Sequence, residues 1–111
     1  MLKQLEALRD VLLGVTQHVY HFDAAVPPDV RKAGGYIVWA ENSEADSVEA
    51  DNRKVNQAVN VTVNYCTKNG EDLMVDAIQK AFAVECIAFS FQYADYDPDT
   101  DVITYEWEAV V

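Results

Sequence analysis

The segment from Val59 to Tyr65 constrains the fold most, because its residues alternate strictly between apolar and polar types. The apolar positions are Val59, Val61, Val63 and Tyr65, and the polar positions are Asn60, Thr62 and Asn64. Val55 shares the apolar parity, although Gln57 interrupts it. Successive side chains of a strand point to opposite faces, so a period of two predicts a strand with one buried and one solvated face.

Two other segments repeat apolar residues every three or four positions, which predicts two amphipathic helices. The first stripe consists of Leu2, Leu5, Leu8, Leu12 and Val15, and the second of Leu73, Met74, Ala77, Ile78, Ala81 and Phe82. Glu71 and Asp72 suit the first turn of the second helix, because the helix dipole favours carboxylates there.

Further strands are predicted where β-branched and aromatic residues concentrate or alternate with polar ones. They cover residues 36–40, 87–93 and 103–111, with a short edge strand at 19–22. Residues 18–35 are otherwise predicted to be irregular, because Pro27-Pro28 and Gly34-Gly35 interrupt them. The sequence thus predicts a single α+β domain with the order α-β-β-α-β-β. Two hairpins joined by a crossover helix would form a mixed, mostly antiparallel sheet with two helices packed on one face.

Two polar segments are predicted to be hairpin loops. The first, residues 42–53, is long and acidic, and loops of that length are commonly either functional or mobile and disordered. Its charged residues are Glu44, Asp46, Glu49, Asp51 and Arg53. The second, residues 94–101, contains four aspartates and one proline.

The charge balance limits the range of partners. The 111 residues include 19 acids and 8 bases, a formal net charge of -11. Such a chain lacks the basic surface that binding to nucleic acid or to anionic lipid needs. The start of the chain is not an apolar signal peptide, so we expect a cytosolic product in which Cys66 and Cys86 remain free thiols.

The second loop also resembles a calcium-binding loop, since acids recur at every second position. These are Asp95, Asp97, Asp99, Asp101 and, at the twelfth position, Glu106. Thr100, however, replaces the glycine that such a loop needs for its sharp turn, and the flanks alternate as strands do. A solvated hairpin is therefore favoured over weak calcium binding. His18, His21 and Asp23 are too few for a zinc site, and we expect no cofactor and no catalysis.

The aromatic residues allow two interpretations. Trp39, Trp107 and four tyrosines fall on predicted strands, where they could fill the core. Tyrosine and tryptophan are also enriched at binding hot spots, so at least one tryptophan could face a neighbouring subunit.

The whole chain resembles the tail-terminator, or tail-completion, proteins of long-tailed bacteriophages in size and element order. The resemblance rests on the leading helix with Val19-Tyr20, Pro27-Pro28 and the string Tyr36-Ile37-Val38-Trp39. The acidic loop, the alternating strand, the second helix and the final hairpin continue it.

The resemblance implies a structural virion protein without catalytic residues, made in the host cytoplasm and located in the virion tail. Its partners would be further copies of itself in a ring, as a hexamer, and the tail-tube and head-completion proteins. DNA would pass through the ring without specific binding. Candidate interface residues are Trp39, Glu44, Asp46, Glu49, Asp51, Arg53, Tyr96 and Trp107. The alternatives are an acidic protein that mimics DNA, another protein-binding adaptor, or a calcium-responsive module.

Overall fold

A computed structural model describes residues 1–44, 49–50, 53–54 and 58–111. Its main sheet has five strands in the spatial order β1-β2-β5-β7-β6, and β3 and β4 form a separate two-stranded sheet. The helices are α1 (Lys3–Leu13), α2 (Pro28–Ala33) and α3 (Met74–Val84). The strands are β1 (Val19–His21), β2 (Tyr36–Glu44), β3 (Glu49–Ala50), β4 (Arg53–Lys54), β5 (Val59–Thr67), β6 (Ala88–Asp97) and β7 (Val102–Val110).

The main sheet confirms the predicted fold class, a single α+β domain with a mixed sheet. β1 runs parallel to β2, and the other neighbouring pairs are antiparallel. The short edge strand predicted at 19–22 is present as β1. β5 lies at the centre because both of its edges are paired, to β2 on one side and to β7 on the other.

The main core lies between one face of the sheet and the helices α1 and α3, and we call this face the α1/α3 face. The core residues are Leu5, Leu8 and Leu12 of α1, Ile78 and Phe82 of α3, and Ile37, Trp39, Val59, Val61, Val63, Tyr65 and Trp107 of the sheet. The helix stripes and the alternation in β5 therefore meet as predicted. Leu2 and Leu73, at the starts of the two stripes, are exposed instead.

The opposite face carries α2, a helix that the sequence did not predict, and we call it the α2 face. A second small core forms there from Val26, Tyr36, Val38 and Cys66, with Val30 of α2 packed against it. Pro27-Pro28 was interpreted as a break, yet Pro28 occupies the start of the helix, where proline is favoured. Gly34 and Gly35 both have φ of 79°, which lets the chain turn from α2 into β2.

Several predicted boundaries were wrong. β2 continues through residues 42–44, so these do not belong to a loop, and β3 and the first residue of β4 lie within the remainder of that segment. β6 extends to Asp97, which makes 94–97 a strand, and α3 begins at Met74 rather than at Glu71. Val55 and Gln57 lie outside the described residues.

Both cysteines are free, as predicted, with Cys66 buried and Cys86 exposed. Among the described residues, none of the helices has the length and apolar character that crossing a membrane requires.

Candidate interaction surface

Among the described strands of the main sheet, the outer strand β6 is the most exposed. It closes one side of the main sheet and pairs only with β7 among the described strands. Each of its ten residues is exposed. The N–H and C=O groups that point away from β7 are therefore open to another strand, and unprotected edges of this kind favour strand addition.

Aromatic rings occupy the α1/α3 face of β6. Phe89 packs at 5.2 Å from the ring of Phe82, and Phe91 lies edge-on at 6.0 Å from Trp107. Half of Phe91 and 53% of Tyr96 nevertheless remain exposed. β6 therefore presents a row of partly exposed aromatic rings next to backbone N–H and C=O groups that have no partner strand. These features provide the apolar area and the hydrogen-bonding groups that an interface needs.

A β-bulge between Phe91 and Tyr93 changes the predicted pattern of β6. The alternation placed Phe89, Phe91 and Tyr93 on one face, but the bulge inserts Gln92 and turns Tyr93 to the α2 face. There the Tyr93 hydroxyl donates a 3.2 Å hydrogen bond to Glu106. Partial burial and the Glu106 carboxylate together raise the pKa of Tyr93. β6 therefore presents aromatic rings on both faces.

The acidic hairpin is organised by its own hydrogen bonds. Asp97 Oδ1 accepts from the backbone N–H of Asp99 at 3.0 Å, and Asp101 Oδ1 accepts from the Tyr96 hydroxyl at 2.8 Å. Glu106 faces Tyr93, as described, and Asp95 pairs with Thr104 across the hairpin. In the part of the chain that the structure describes, no three His, Cys, Asp or Glu residues are grouped to hold a metal ion.

Both tryptophans lie in the core, which favours the interpretation that they fill it over the one in which at least one of them faces a neighbouring subunit. Trp39 is 1% exposed and Trp107 is fully buried. Both side chains point to the α1/α3 face, where the two helices cover them, and Trp107 Nε1 donates a 3.0 Å hydrogen bond to Gln79 of α3. Of the predicted interface residues, Tyr96 is exposed on β6.

The remaining predicted interface residues belong to the segment between β2 and β5. The side chains of Glu44, Asp46, Glu49, Asp51 and Arg53 lie outside the described part of the structure. β6 itself was not predicted as an edge. The available signal was its alternation of aromatic with small polar residues, which indicates a strand but not its place in the sheet.

β1 forms the other side of the main sheet and carries its own aromatic cluster. The ring of His21 stacks between those of Phe22 and Trp39, with both centroids 4.0 Å away. Its Nε2 lies 2.9 Å from Glu41. On the α2 face, His18 Nδ1 lies 3.4 Å from the Tyr20 hydroxyl. Phe22 has a φ of 71°, an unfavourable conformation that places its exposed ring on this stack.

Two of the concave regions in the described part of the structure lie on opposite faces of the sheet. An open groove of about 780 Å³ between α1 and α3 is lined mainly by small and apolar residues, including Ala7, Val11 and Ala81, together with Asp10, Lys80 and Glu85. A pocket of about 400 Å³ on the α2 face contains Arg31, Tyr36 and Asn64. Burial raises the pKa of Tyr36 to about 12, with a contribution from the nearby Cys66. Asn64 Oδ1 is buried there without a partner among the described atoms, a group that water can satisfy.

Comparisons with known proteins give no family. No model of a known protein family matches the chain, and no curated protein matches it significantly.

Proposed function

We propose that this protein is a non-catalytic virion assembly protein that caps the tail tube of a long-tailed bacteriophage and joins the tail to the head. The observation that carries the proposal is the β6 edge, in which ten exposed residues combine unpaired backbone groups with four exposed aromatic side chains: Phe89, Phe91, Tyr93 and Tyr96. Such an edge suits a protein that works by binding other subunits. The specific role rests on the resemblance in size and element order.

The partners that we propose are further copies of the chain, in a ring of six, together with tail-tube and head-completion proteins. The net charge of -11 fits this role. Negative walls around a passage repel DNA, so that the duplex can pass without binding. The protein would be made in the host cytoplasm and retained in the virion tail.

The test combines purified protein with tubes assembled from the tail-tube protein encoded in the same genome. Negative-stain microscopy should show extra density at tube ends, and light scattering should show that tube growth stops. Phe91→Lys should abolish capping, because it places a charge in the aromatic row of β6. Leu73→Lys is the matched control, since Leu73 is 80% exposed at the start of α3, away from both sheet edges. Tubes that grow normally and stay uncapped with the unaltered protein would refute the proposal.

The acidic hairpin favours a second candidate, an inhibitor that mimics DNA. Asp95, Asp97, Asp99 and Asp101 are all exposed and follow one another at alternate positions. This function predicts binding to a DNA-binding protein that competes with DNA and weakens steeply as salt rises. Replacing Asp97, Asp99 and Asp101 with asparagine should then weaken this binding strongly, whereas tube capping should persist if the assembly role is correct.

A further inference from the structure

We propose that the partner of the β6 edge is the β1 edge of a second copy of this chain, so that the main sheets of neighbouring copies join head to tail. The inference rests on the proposed function, which requires self-assembly, and it assigns the two surfaces that meet. A ring of this kind needs two different patches on each subunit, and the two sides of the sheet are different.

Strand direction supports this pairing. β2 is antiparallel to β5, β5 to β7 and β7 to β6, while β1 runs parallel to β2. β6 is therefore antiparallel to β1. A second copy placed beside the first in the same orientation pairs its β1 antiparallel to β6 and keeps the helices of both copies on one side. Outward backbone groups along the shared length would then gain partners, except at Gln92, the extra residue of the bulge.

The register across the sheet shows which residues would meet on the α1/α3 face. Residues that pair with one another across neighbouring strands form a row, and we call the members of one row level with each other. The row that starts at His21 on β1 runs through Trp39, Val63 and Trp107 to Phe91 on β6. In the same way Val19 lies level with Ala94, through Ile37, Tyr65 and Tyr105. A copy added without vertical shift would thus place Phe91 opposite His21, where it extends the aromatic stack, and Ala94 opposite Val19.

The α2 face is complementary in the same register. Tyr20 lies level with Tyr93, through Val38, Asn64 and Glu106. His18 lies one residue before β1, and its backbone carbonyl oxygen accepts a hydrogen bond from the N–H of Ile37. This position in the row before Val19 is level with Asp95. Tyr93 would meet Tyr20, and the Asp95 carboxylate would meet an imidazole that can donate a hydrogen bond. No like charges lie opposite each other, which matters for chains that are strongly negative overall.

Other occupants fit less well. Pairing of β6 with β6 of a second copy is also antiparallel, but it leaves the β1 edge and the exposed Phe22 uncovered in both copies. If the two-fold axis of such a β6–β6 pair passed through Ser90, Phe89 of each copy would lie opposite Phe91 of the other. This two-fold dimer is therefore the competing outcome that the experiment must detect.

Disulfide trapping distinguishes the arrangements. In a Cys86→Ser background, Val19→Cys and Ala94→Cys are placed on separate chains of different mass. Residues directly opposite each other in an antiparallel pair have Cα atoms about 4.5–5.5 Å apart, which is within the range that a disulfide spans. We expect disulfide-linked pairs only when the two variants are mixed, and a ladder of multimers when both cysteines are on one chain. Ala83→Cys, which is exposed on α3 and not on either edge strand, reports random collisions.

Two results would overturn the inference. The first is a disulfide dimer from Ser90→Cys alone without the mixed Val19–Ala94 product. The second is a protein that remains monomeric by light scattering at every concentration. A folded His18→Glu variant offers a further check. It puts like charges opposite each other and should lose the mixed product, and adding Asp95→His should restore it.

The trapping experiment and the capping assay can fail separately. A protein that caps tubes without forming the mixed disulfide contradicts only the edge pairing. A protein that forms the mixed disulfide but leaves tubes uncapped contradicts only the tail function.

Discussion

The Tyr65 hydroxyl donates a 2.6 Å hydrogen bond to Asp72 Oδ2 and so ties the end of β5 to the start of α3. Thr67 Oγ1 donates to the same oxygen at 2.8 Å, and the backbone N–H of Met74 donates to Asp72 Oδ1 at 2.9 Å. One carboxylate thus accepts the N–H of the first residue of α3 and hydrogen bonds from two buried residues of the central strand. This side chain therefore links the end of β5 to the start of the crossover helix.

We expect Asp72→Ala to lower the free energy of unfolding by about 2–4 kcal/mol. Loss of the side-chain acceptor for a free N–H at a helix start costs about 1 kcal/mol, and an unsatisfied buried donor costs about 1–3 kcal/mol. Urea unfolding followed by circular dichroism measures the change. Asp76→Ala is the matched control, because Asp76 is an exposed aspartate in the first turn of α3. Equal losses in the two variants would show that only the charge near the helix start matters.

The Asp72 carboxylate should also make the free energy of unfolding depend on pH in the acidic range. Burial disfavours the charged form of Asp72, but the hydrogen bonds from Tyr65, Met74 and Thr67 outweigh this effect and lower its pKa. Because the pKa of Asp72 is lower in the folded protein than in the unfolded chain, its charged carboxylate stabilises the fold at pH values above the unfolded pKa of about 3.9. This contribution is lost as pH falls through the folded pKa.

The test compares the unaltered protein with Asp72→Asn between neutral pH and pH 3. The difference in unfolding free energy should be constant near neutrality and shrink in acid, because the unaltered carboxyl becomes neutral as well. Asp76→Asn, measured in parallel, controls for the loss of an exposed carboxylate from the same helix turn. A difference that stays constant down to pH 3 would contradict the lowered pKa.

Local patterns in the sequence predicted the elements but not their neighbours. The alternation from Val59 to Tyr65 and the stripe containing Leu5 and Leu8 correspond to a strand and a helix, because both depend on residues close together in the chain. The order of strands depends on long-range pairing, so nothing local to residues 88–97 shows that β6 is an edge. The bulge at Gln92 likewise arises from pairing with β7, and it turned Tyr93 to the face opposite the one predicted.

The two tryptophans show why the candidate site was only partly predictable. The sequence pattern of a strand is the same whichever face of the sheet its apolar residues point to. The face that is covered by helices is decided by the packing of α1 and α3, which the local sequence does not show. Trp39 and Trp107 could therefore be assigned to strands without being assigned to the core. The short helix α2 was missed because six residues hold too few turns for an apolar period.

Burial of both tryptophans predicts weak quenching by acrylamide and an emission maximum shifted towards shorter wavelengths. Trp39→Phe and Trp107→Phe, each leaving one tryptophan, should give the same result separately. Adding Leu73→Trp supplies an exposed tryptophan as an internal reference, and its emission should be quenched strongly. Strong quenching of either native tryptophan in the folded monomer would contradict its place in the core.

Cys86 occupies a position at the end of α3 that favours glycine. The N–H of Ile87 donates to Phe82 O at 2.8 Å, and that of Cys86 donates to Ala83 O at 3.2 Å, which together form a Schellman motif. Cys86 has a φ of 56°, and a side chain in this conformation costs about 1–2 kcal/mol.

Glycine relieves that cost but loses more entropy on folding, so Cys86→Gly should stabilise the protein by about 0.5–1 kcal/mol. Cys86→Ala keeps the strained conformation and should change stability little. Urea midpoints for the three proteins measure the effect, and a glycine variant no more stable than the alanine variant would show that the conformation carries no penalty.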